Sequence, residues 1–352
     1  MANYQIKLTP IDTFFFGGEK HIEKNGKIET NYFVESNLYP QQTTLLGLLR
    51  YYLLLKNNIV FDGKKITDKI EAARIIGDSS FDYNTPPQDY GKIKSISPLY
   101  FHGDNQCFFY APLDVDFKMT NFQLSKMKDG NDTNYNAKDF YYDICQQVIS
   151  DKGDKKKLSV IIEDAMQVGN EKAAKGESKE DKFYKQNSKR MKSGWCFCFD
   201  AEIADNAGIP QNDALFIPFG GEKSFFKMEV DKKDPVAFTP PKNFVRNKSY
   251  ILCISDCFVD PGFLEKSELS VNRYVSFRNL KSKVKGTEKY SGLSKNDPEQ
   301  LSRSDRFNLL QRGSILYFDS NEKLEEVAEI IQSKENTHCK TIGFNHIITI
   351  KN

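Results

Sequence analysis

Residues 33–55 read FVESNLYPQQTTLLGLLRYYLLL, a greasy stretch opened by two threonines and carrying a glycine and a single arginine. Thr43 or Thr44 is suited to accept a hydrogen bond from the free amides of a first helical turn, and Pro40 holds the incoming chain extended. The pattern therefore predicts a helix starting near residue 44. Leu45, Leu48, Leu49, Tyr52 and Leu53 recur at helical spacing, forming a broad apolar face that only a substantial core covers. Gly47 is expected to admit a neighbouring backbone closely. A helix N-terminus is also a ready anion seat, so the threonines suit either a plain cap or a phosphate.

Working outward, NYQIKLTP alternates, with Tyr4, Ile6 and Leu8 on one face, and predicts a half-buried strand before the FFFGGEKH loop. IKSISPLYF and QCFFYAP flank HGDN, whose Gly103 and Asp104 suit a tight reversal between two strands. NAKDFYYDICQQVIS is expected to form a helix that stacks Phe140, Ile144 and Val148. Strand, helix, two strands and helix begin a ferredoxin-like unit. A second unit starts beyond residue 194 with WCFCFDAEI, LFIPFGGEKSFFKMEV and YILCISDCFV. It ends with the strand GSILYFD, a helix with capping-box spacing at Asp319 and Glu322 whose face carries Leu324, Val327, Ala328 and Ile331, and a final strand TIGFNHIITI. The fold expected is α+β, with two tandem ferredoxin-like domains over residues 1–193 and 194–352.

The chain's 352 residues suffice for two such domains. Charged residues make up 28 % yet nearly cancel to +2, so any nucleic-acid footprint is local. No apolar run of about 18 residues suggests a membrane span, and the start lacks a signal-peptide form. A soluble, cytoplasmic protein is expected. Seven scattered cysteines do not make a disulfide framework. Cys196 with Cys198, and Cys253 with Cys257, lie in strand-like runs unsuited to zinc. With neither a Walker pattern nor GxGxxG, no cofactor and no metal are expected.

Two segments break the pattern. Residues 171–193 hold eight basic against four acidic residues, and residues 278–312 nine against four, so these stretches carry more than the whole positive surplus. Lys189, Arg190 and Lys192 in the first, and Lys281, Lys283, Lys285 and Arg312 in the second, are candidate phosphate contacts. Tyr184, Tyr290 and Phe307 supply interleaved rings of the kind single-stranded nucleic acid uses. Both segments lack periodic apolar residues and are expected to be long loop insertions, mobile until assembly orders them.

LTPIDTFFFGGEKH, FVESNLYPQQTTLLGLLR, SPLYF…FFYAPLDV, FIPFGGEKSFF, RGSILYF and the closing IGFN together resemble the third-subunit family of the type III-B CRISPR effector, the Cmr complex. These are RAMP proteins, a group built from ferredoxin-like folds. The resemblance implies a non-catalytic subunit at the foot of a ribonucleoprotein, bound to the five-prime repeat-derived handle of the guide RNA. Its partners would be the large polymerase-like subunit, the neighbouring backbone RAMP subunit and the flank of the target RNA. RNA-contacting positions implied are Gly17, Gly18 and Lys20, then Gly220, Gly221 and Lys223, then Gly343 and Asn345, with Arg50 matching the family's arginine. Glycine lets backbone amides approach phosphate oxygens. Many members carry an arginine-led turn after the phenylalanines. Here the turn is GGEKH, and its cation is Lys20 or His21.

The competing reading is a RAMP-type guide-processing endoribonuclease, which needs a proton carrier beside a cation near the phosphate. Of four histidines, His346 falls on the expected apolar face of the last strand, His102 in a turn and His338 in a loop. His21, next to Lys20, is the candidate general base. Asp114 and Asp116, expected on one strand face, read as solvated carboxylates rather than metal ligands.

Overall fold

The computed structural model describes residues 1–17, 23–24, 27–28, 33–59, 61–62, 65–66, 68–86, 88–128, 131–134, 147–172, 178–237, 246–259, 261–281, 302–333 and 336–352. The chain is a mixed α/β protein of mostly antiparallel sheets with few helices. Strand Ala2–Pro10 lies between Cys196–Ile203 and Phe225–Lys232, antiparallel to both. The sheet extends on one side through Tyr100–Gly103, Gln106–Tyr110, Gln147–Ser150 and Lys155–Lys157, and ends on the other at Asn212–Pro218. Ile93–Ile96 adds a ninth strand beside Cys196–Ile203.

The first sheet thus runs past the expected division at residue 194 as far as Lys232. Both edges of Ala2–Pro10 need partners, and Phe197 and Phe199 stand opposite Leu8 and Ile6 in register, completing one apolar face. Helix α1 (Gln42–Lys56) contributes Leu45, Leu49, Tyr52 and Leu53 to the same buried cluster, as its periodicity predicts. Its N-terminus differs from expectation. Gln41 is the N-cap and gives no side-chain bond, so neither threonine caps the helix. Gln42 instead pins two distant segments, its Nε2 donating to the carbonyls of Ser97 (2.9 Å) and Ile342 (3.0 Å). Gly47 is exposed, and a Cβ added there would meet nothing within 4 Å. It admits no close neighbour, so Gly47→Ala should raise stability by about 0.5–1 kcal/mol in a denaturant titration. A shorter helix α2 (Lys69–Ile76), capped by the Asp68 side chain, packs beside α1.

The hairpin at 103–106 forms as expected. Asp104 and Asn105 both take positive φ, and Gly103 pairs with Gln106. Gly103 is glycine because a Cβ would lie 2.4 Å from the Trp195 ring. The helix expected over NAKDFYYDICQQVIS falls mostly outside the described residues. Its described end, Gln147–Ser150, is a strand in which Val148 pairs with Tyr110.

Residues 171–193 lie mostly in an arm rather than a loop. Ile162–Lys172 and Ser178–Met191 form a long antiparallel hairpin, held at its base by Thr13–Phe14 and Phe33–Glu35. Of residues 278–312, the stretch 282–301 lies outside the described residues, and the flanks form short ladders, Tyr274–Phe277 with Phe307–Leu310 and Leu280–Lys281 with Ser302–Arg303.

A second sheet has the order Leu269–Val271, Ile315–Phe318, Ser249–Cys253, Ile347–Ile350. Helix α3 (Asn321–Ile331) buries Leu324, Val327 and Ile331 against Ile251, Leu316 and Phe318. Its cap is Ser320, whose Oγ accepts from the Lys323 amide at 3.3 Å, whereas Asp319 accepts from Lys323 Nζ. The closing stretch is shorter as a strand than expected, because Thr337–Thr341 makes the small helix α4 and Gly343 and Asn345 both take positive φ before Ile347. The opposite face of this sheet is covered by Leu113, Phe117 and Leu124, which the chain carries across from the first sheet.

Candidate nucleic-acid interface

Strands Asn212–Pro218 and Phe225–Lys232 are joined by a loop containing the second glycine motif. Gly220 has φ +88°, and a Cβ there would lie 2.6 Å from the Phe15 carbonyl oxygen. The amide of Gly221 donates to that same oxygen at 2.7 Å. Ser224 closes the loop. Its Oγ donates to the Gly221 carbonyl (2.6 Å) and accepts from the Phe15 amide (3.0 Å). The second glycine motif is therefore clamped to Phe15 of the first, and beside this clamp the rings of Phe14, Phe16, Phe219 and Phe226 interlock with centroids 5.2–6.0 Å apart.

Glu222 and Lys223 both sit in the left-handed region, with φ of 52° and 57°, and both are exposed. No described residue takes their amides. Two backbone donors beside an ammonium form a small anion seat. Gly17 lies in the facing loop, its carbonyl accepting from Asn37 Nδ2 at 3.2 Å. Gly18, Lys20 and His21 lie outside the described residues. The structure thus puts Gly220, Gly221 and Lys223 in one loop that packs on Phe15, two residues before Gly17.

Several of the other expected contacts have partners within the chain. Lys189 is 4 % exposed, and its Nζ is held by Asp164 at 2.5 Å and Glu35 at 3.2 Å. The hydrogen bond from Lys189 holds the Asp164 carboxyl below its usual pKa. Arg190 pairs with Asp12 at 3.0 Å and Lys192 with Glu163 at 2.5 Å, both at the surface. Arg50 donates to the Ser79 carbonyl at 2.5 Å and lies over the Tyr90 ring. Lys281 lies in the short strand Leu280–Lys281, and Lys283 and Lys285 lie outside the described residues.

Arg312 is wholly internal. Its Nε and Nη2 donate to the two oxygens of Asp256 at 3.1 and 2.8 Å, and its guanidinium lies 4.2 Å from the Tyr39 ring centroid and 5.1 Å from that of Tyr110. Burial, the largest single influence, opposes its charge, but Asp256, Tyr39 and Tyr110 together outweigh it and raise the guanidinium pKa. Gly343 has φ +92° and touches the Gln42 side chain and the Ser97 carbonyl. Asn345 is 1 % exposed; its Oδ1 accepts from the Phe258 amide, and its Nδ2 donates to the carbonyls of Phe258 and Ile331. These three residues tie distant parts of the chain together.

The histidines and carboxylates of the competing reading are likewise placed. His338 is buried, with Nε2 3.0 Å from the Tyr83 carbonyl oxygen. His346 precedes the last strand instead of lying on its apolar face; its Nε2 lies 3.1 Å from the Lys340 carbonyl oxygen, and burial lowers its pKa. His102 is half-buried on strand Tyr100–Gly103, with its pKa lowered by burial, then by Lys7 and Lys233. Asp114 is fully buried in a turn, pairing with Arg246 at 3.2 Å and accepting from Tyr317 Oη at 2.5 Å. Burial, outweighing Arg246 and Tyr317, raises its pKa. Asp116 accepts from Gln147 and Lys155. Among the described residues, no three His, Cys, Asp or Glu side chains are grouped for a metal, and no helix is long and apolar enough to cross a membrane.

Sequence reasoning missed Phe216 and Phe225, which are 69 % and 47 % exposed beside the glycine loop. The signal was present, since Phe225–Phe226 on a strand must place one ring on each face of the sheet.

No curated protein matches the chain. Two solved chains share the fold. One is from the cryo-EM structure of "the Type III-B Cmr-beta bound to cognate target RNA and AMPPnP, state 1", with 14 % identity, coverage of 98 % of this chain and 96 % of that one, and a TM-score of 0.52. The other is from "the Type III-B Cmr-beta bound to cognate target RNA", with 15 % identity, the same coverage and a TM-score of 0.51. The model of the family described as CRISPR-associated protein (Cas_Cmr3) matches residues 6–159 and 125–352. With nearly its whole length matched in this way, the chain belongs to the Cmr3 family of CRISPR-associated proteins.

Proposed function

We propose that this subunit of the type III-B Cmr complex is a cytoplasmic, non-catalytic RNA-binding protein. It holds the five-prime repeat-derived handle of the guide RNA at the foot of the particle, where it docks the large polymerase-like subunit and the neighbouring backbone subunit. Each of its sheets is read as an elaborated ferredoxin-like unit of the RAMP type. The observation that carries the proposal is the clamp between the two glycine motifs, which presents Lys223 and two unclaimed amides at an exposed edge. The similar solved chains come from a complex bound to cognate target RNA, which fits a role on RNA.

The test is handle-RNA binding across a salt series, with crosslinking to locate the RNA on the chain. Crosslinks are expected on residues 216–227, and Lys223→Ala should make the log–log salt slope shallower by about 0.7, the share of one phosphate on a single strand. Lys189→Ala should leave the slope unchanged while lowering stability, because Lys189 already has two carboxylates. A slope that responds to Lys189 and ignores Lys223 would place RNA on the arm instead. The RNA should stay intact throughout; 2′,3′-cyclic phosphate ends that disappear in His21→Ala would replace this reading with the endoribonuclease.

A further inference from the structure

The first sheet packs one face against α1 and carries Tyr100, Phe109, Cys196 and Cys198 on the other. On the second face, the stretch after Lys232 folds back over part of the sheet. The Lys233 amide donates to the Asn3 carbonyl, and the Val236 amide donates to Asp200 Oδ2 at 2.9 Å, placing Val236 over Tyr100, Phe109 and Cys198. Towards the glycine loop Phe216 and Phe225 are exposed. There Phe216 stands opposite Lys227, and Phe225 opposite Pro218. Phe216 and Phe225 are thus diagonal neighbours on one face, roughly 7–8 Å apart at the backbone. Their in-strand neighbours Ile217 and Phe226 are fully buried on the other face.

Resting on the RNA-binding reading above, we infer that Phe216 and Phe225 are a stacking platform for two successive unpaired bases of a single-stranded RNA. An antiparallel sheet that presents two rings on an open face is a geometry proteins use to stack splayed bases. It reads no particular sequence, because every base has a π-face. Phosphates joining such bases pass the cations at hand, Lys227 between the rings and Lys223 at the end of the strand pair; Lys227 is exposed and shared with Glu229 at 2.8 Å. A protein partner fits less well. A stable protein interface buries about 800 Å² per side around a continuous apolar centre, whereas here Lys227, Ala214 and Thr9 surround the rings and, among the described residues of this face, Ile11 alone adds exposed large apolar surface.

The experiment uses the full-length chain, alone and in the reconstituted complex, with a repeat-derived single-stranded RNA as probe. Phe216→Ala and Phe225→Ala should each weaken binding roughly 5- to 150-fold, as loss of one stacked base does. Phe216→Leu should be as weak as the alanine variant, and Phe216→Trp should restore affinity, since the ring and not its greasiness is what binds. Unfolding midpoints should not move, as both rings are exposed. Wild-type affinity in Phe216→Leu would overturn stacking. Unchanged RNA affinity with loss of the chain from the complex would make the patch a protein contact. If the wild-type chain binds no RNA, both this inference and the proposed function fall; if it binds and the variants bind equally, only this one does.

Discussion

Arg312→Ala should cost about 3–5 kcal/mol of unfolding free energy, because it leaves the Asp256 carboxylate in the interior with its countercharge removed. The expected result is a fall in urea midpoint at unchanged m-value, together with loss of soluble expression. The structure makes the cost specific. Asp256 receives three hydrogen bonds from Arg312, two from the guanidinium and one from the backbone amide at 2.9 Å. The guanidinium also lies over the rings of Tyr39 and Tyr110, which touch each other edge to face. Asp256→Ala alone should be similarly damaging, and the two together should cost less than the sum, as partners in one network do. RNA affinity per folded molecule should be unchanged in all three, which separates a structural arginine from a phosphate contact. A variant that folds normally and binds RNA weakly would reverse this assignment.

Gly343→Ala should be the second large effect, at about 2–5 kcal/mol. Two terms add. An L-residue at φ +92° is strained by about 1–2 kcal/mol, and the new methyl group would lie 1.7 Å from Gln42 Nε2 and 2.7 Å from the Ser97 carbonyl oxygen, an overpacking penalty of about 1–3 kcal/mol. Gln42 cannot simply swing aside, since its amide ties Ser97 to Ile342. Thermal unfolding should therefore show a lowered midpoint, and truncating the tie with Gln42→Ala should soften the effect of Gly343→Ala. Equal penalties in both backgrounds would mean that backbone strain alone is responsible.

Local features could be read from the residues themselves. Tyr4, Ile6 and Leu8 share a buried face because alternation in a strand is geometric, and Leu324, Val327 and Ile331 share one because a helix repeats every 3.6 residues. The reversal at HGDN was readable too, although its two turn residues are Asp104 and Asn105, one place beyond the Gly103 and Asp104 expected. The site was harder. A run such as Lys189, Arg190 and Lys192 shows charge but not its neutralisation, and the partners Glu35 and Asp12 arrive from 154 and 178 residues away. Gly343 and Asn345 fall within an expected strand and are candidate RNA contacts in sequence, yet positive φ and packing against Gln42, Phe258 and Ile331 engage them inside the chain. In the second FGG loop the glycines serve packing against Phe15, and Glu222 and Lys223 are exposed.

The strand order of the first sheet also bears on how the molecule is made. Ala2–Pro10 has two hydrogen-bonded neighbours, and both lie about 190 residues or more downstream. At a synthesis rate of about 5–20 residues per second, it waits about 10–40 s on the ribosome before Cys196–Ile203 emerges, with Tyr4, Ile6 and Leu8 unpaired in the meantime. A nascent chain in that condition offers an apolar strand edge to any other copy nearby. Yield of soluble subunit should therefore be governed by translation speed and by chaperones that shield the early strand, so that slowing elongation without added chaperone reduces the fraction that reaches the particle.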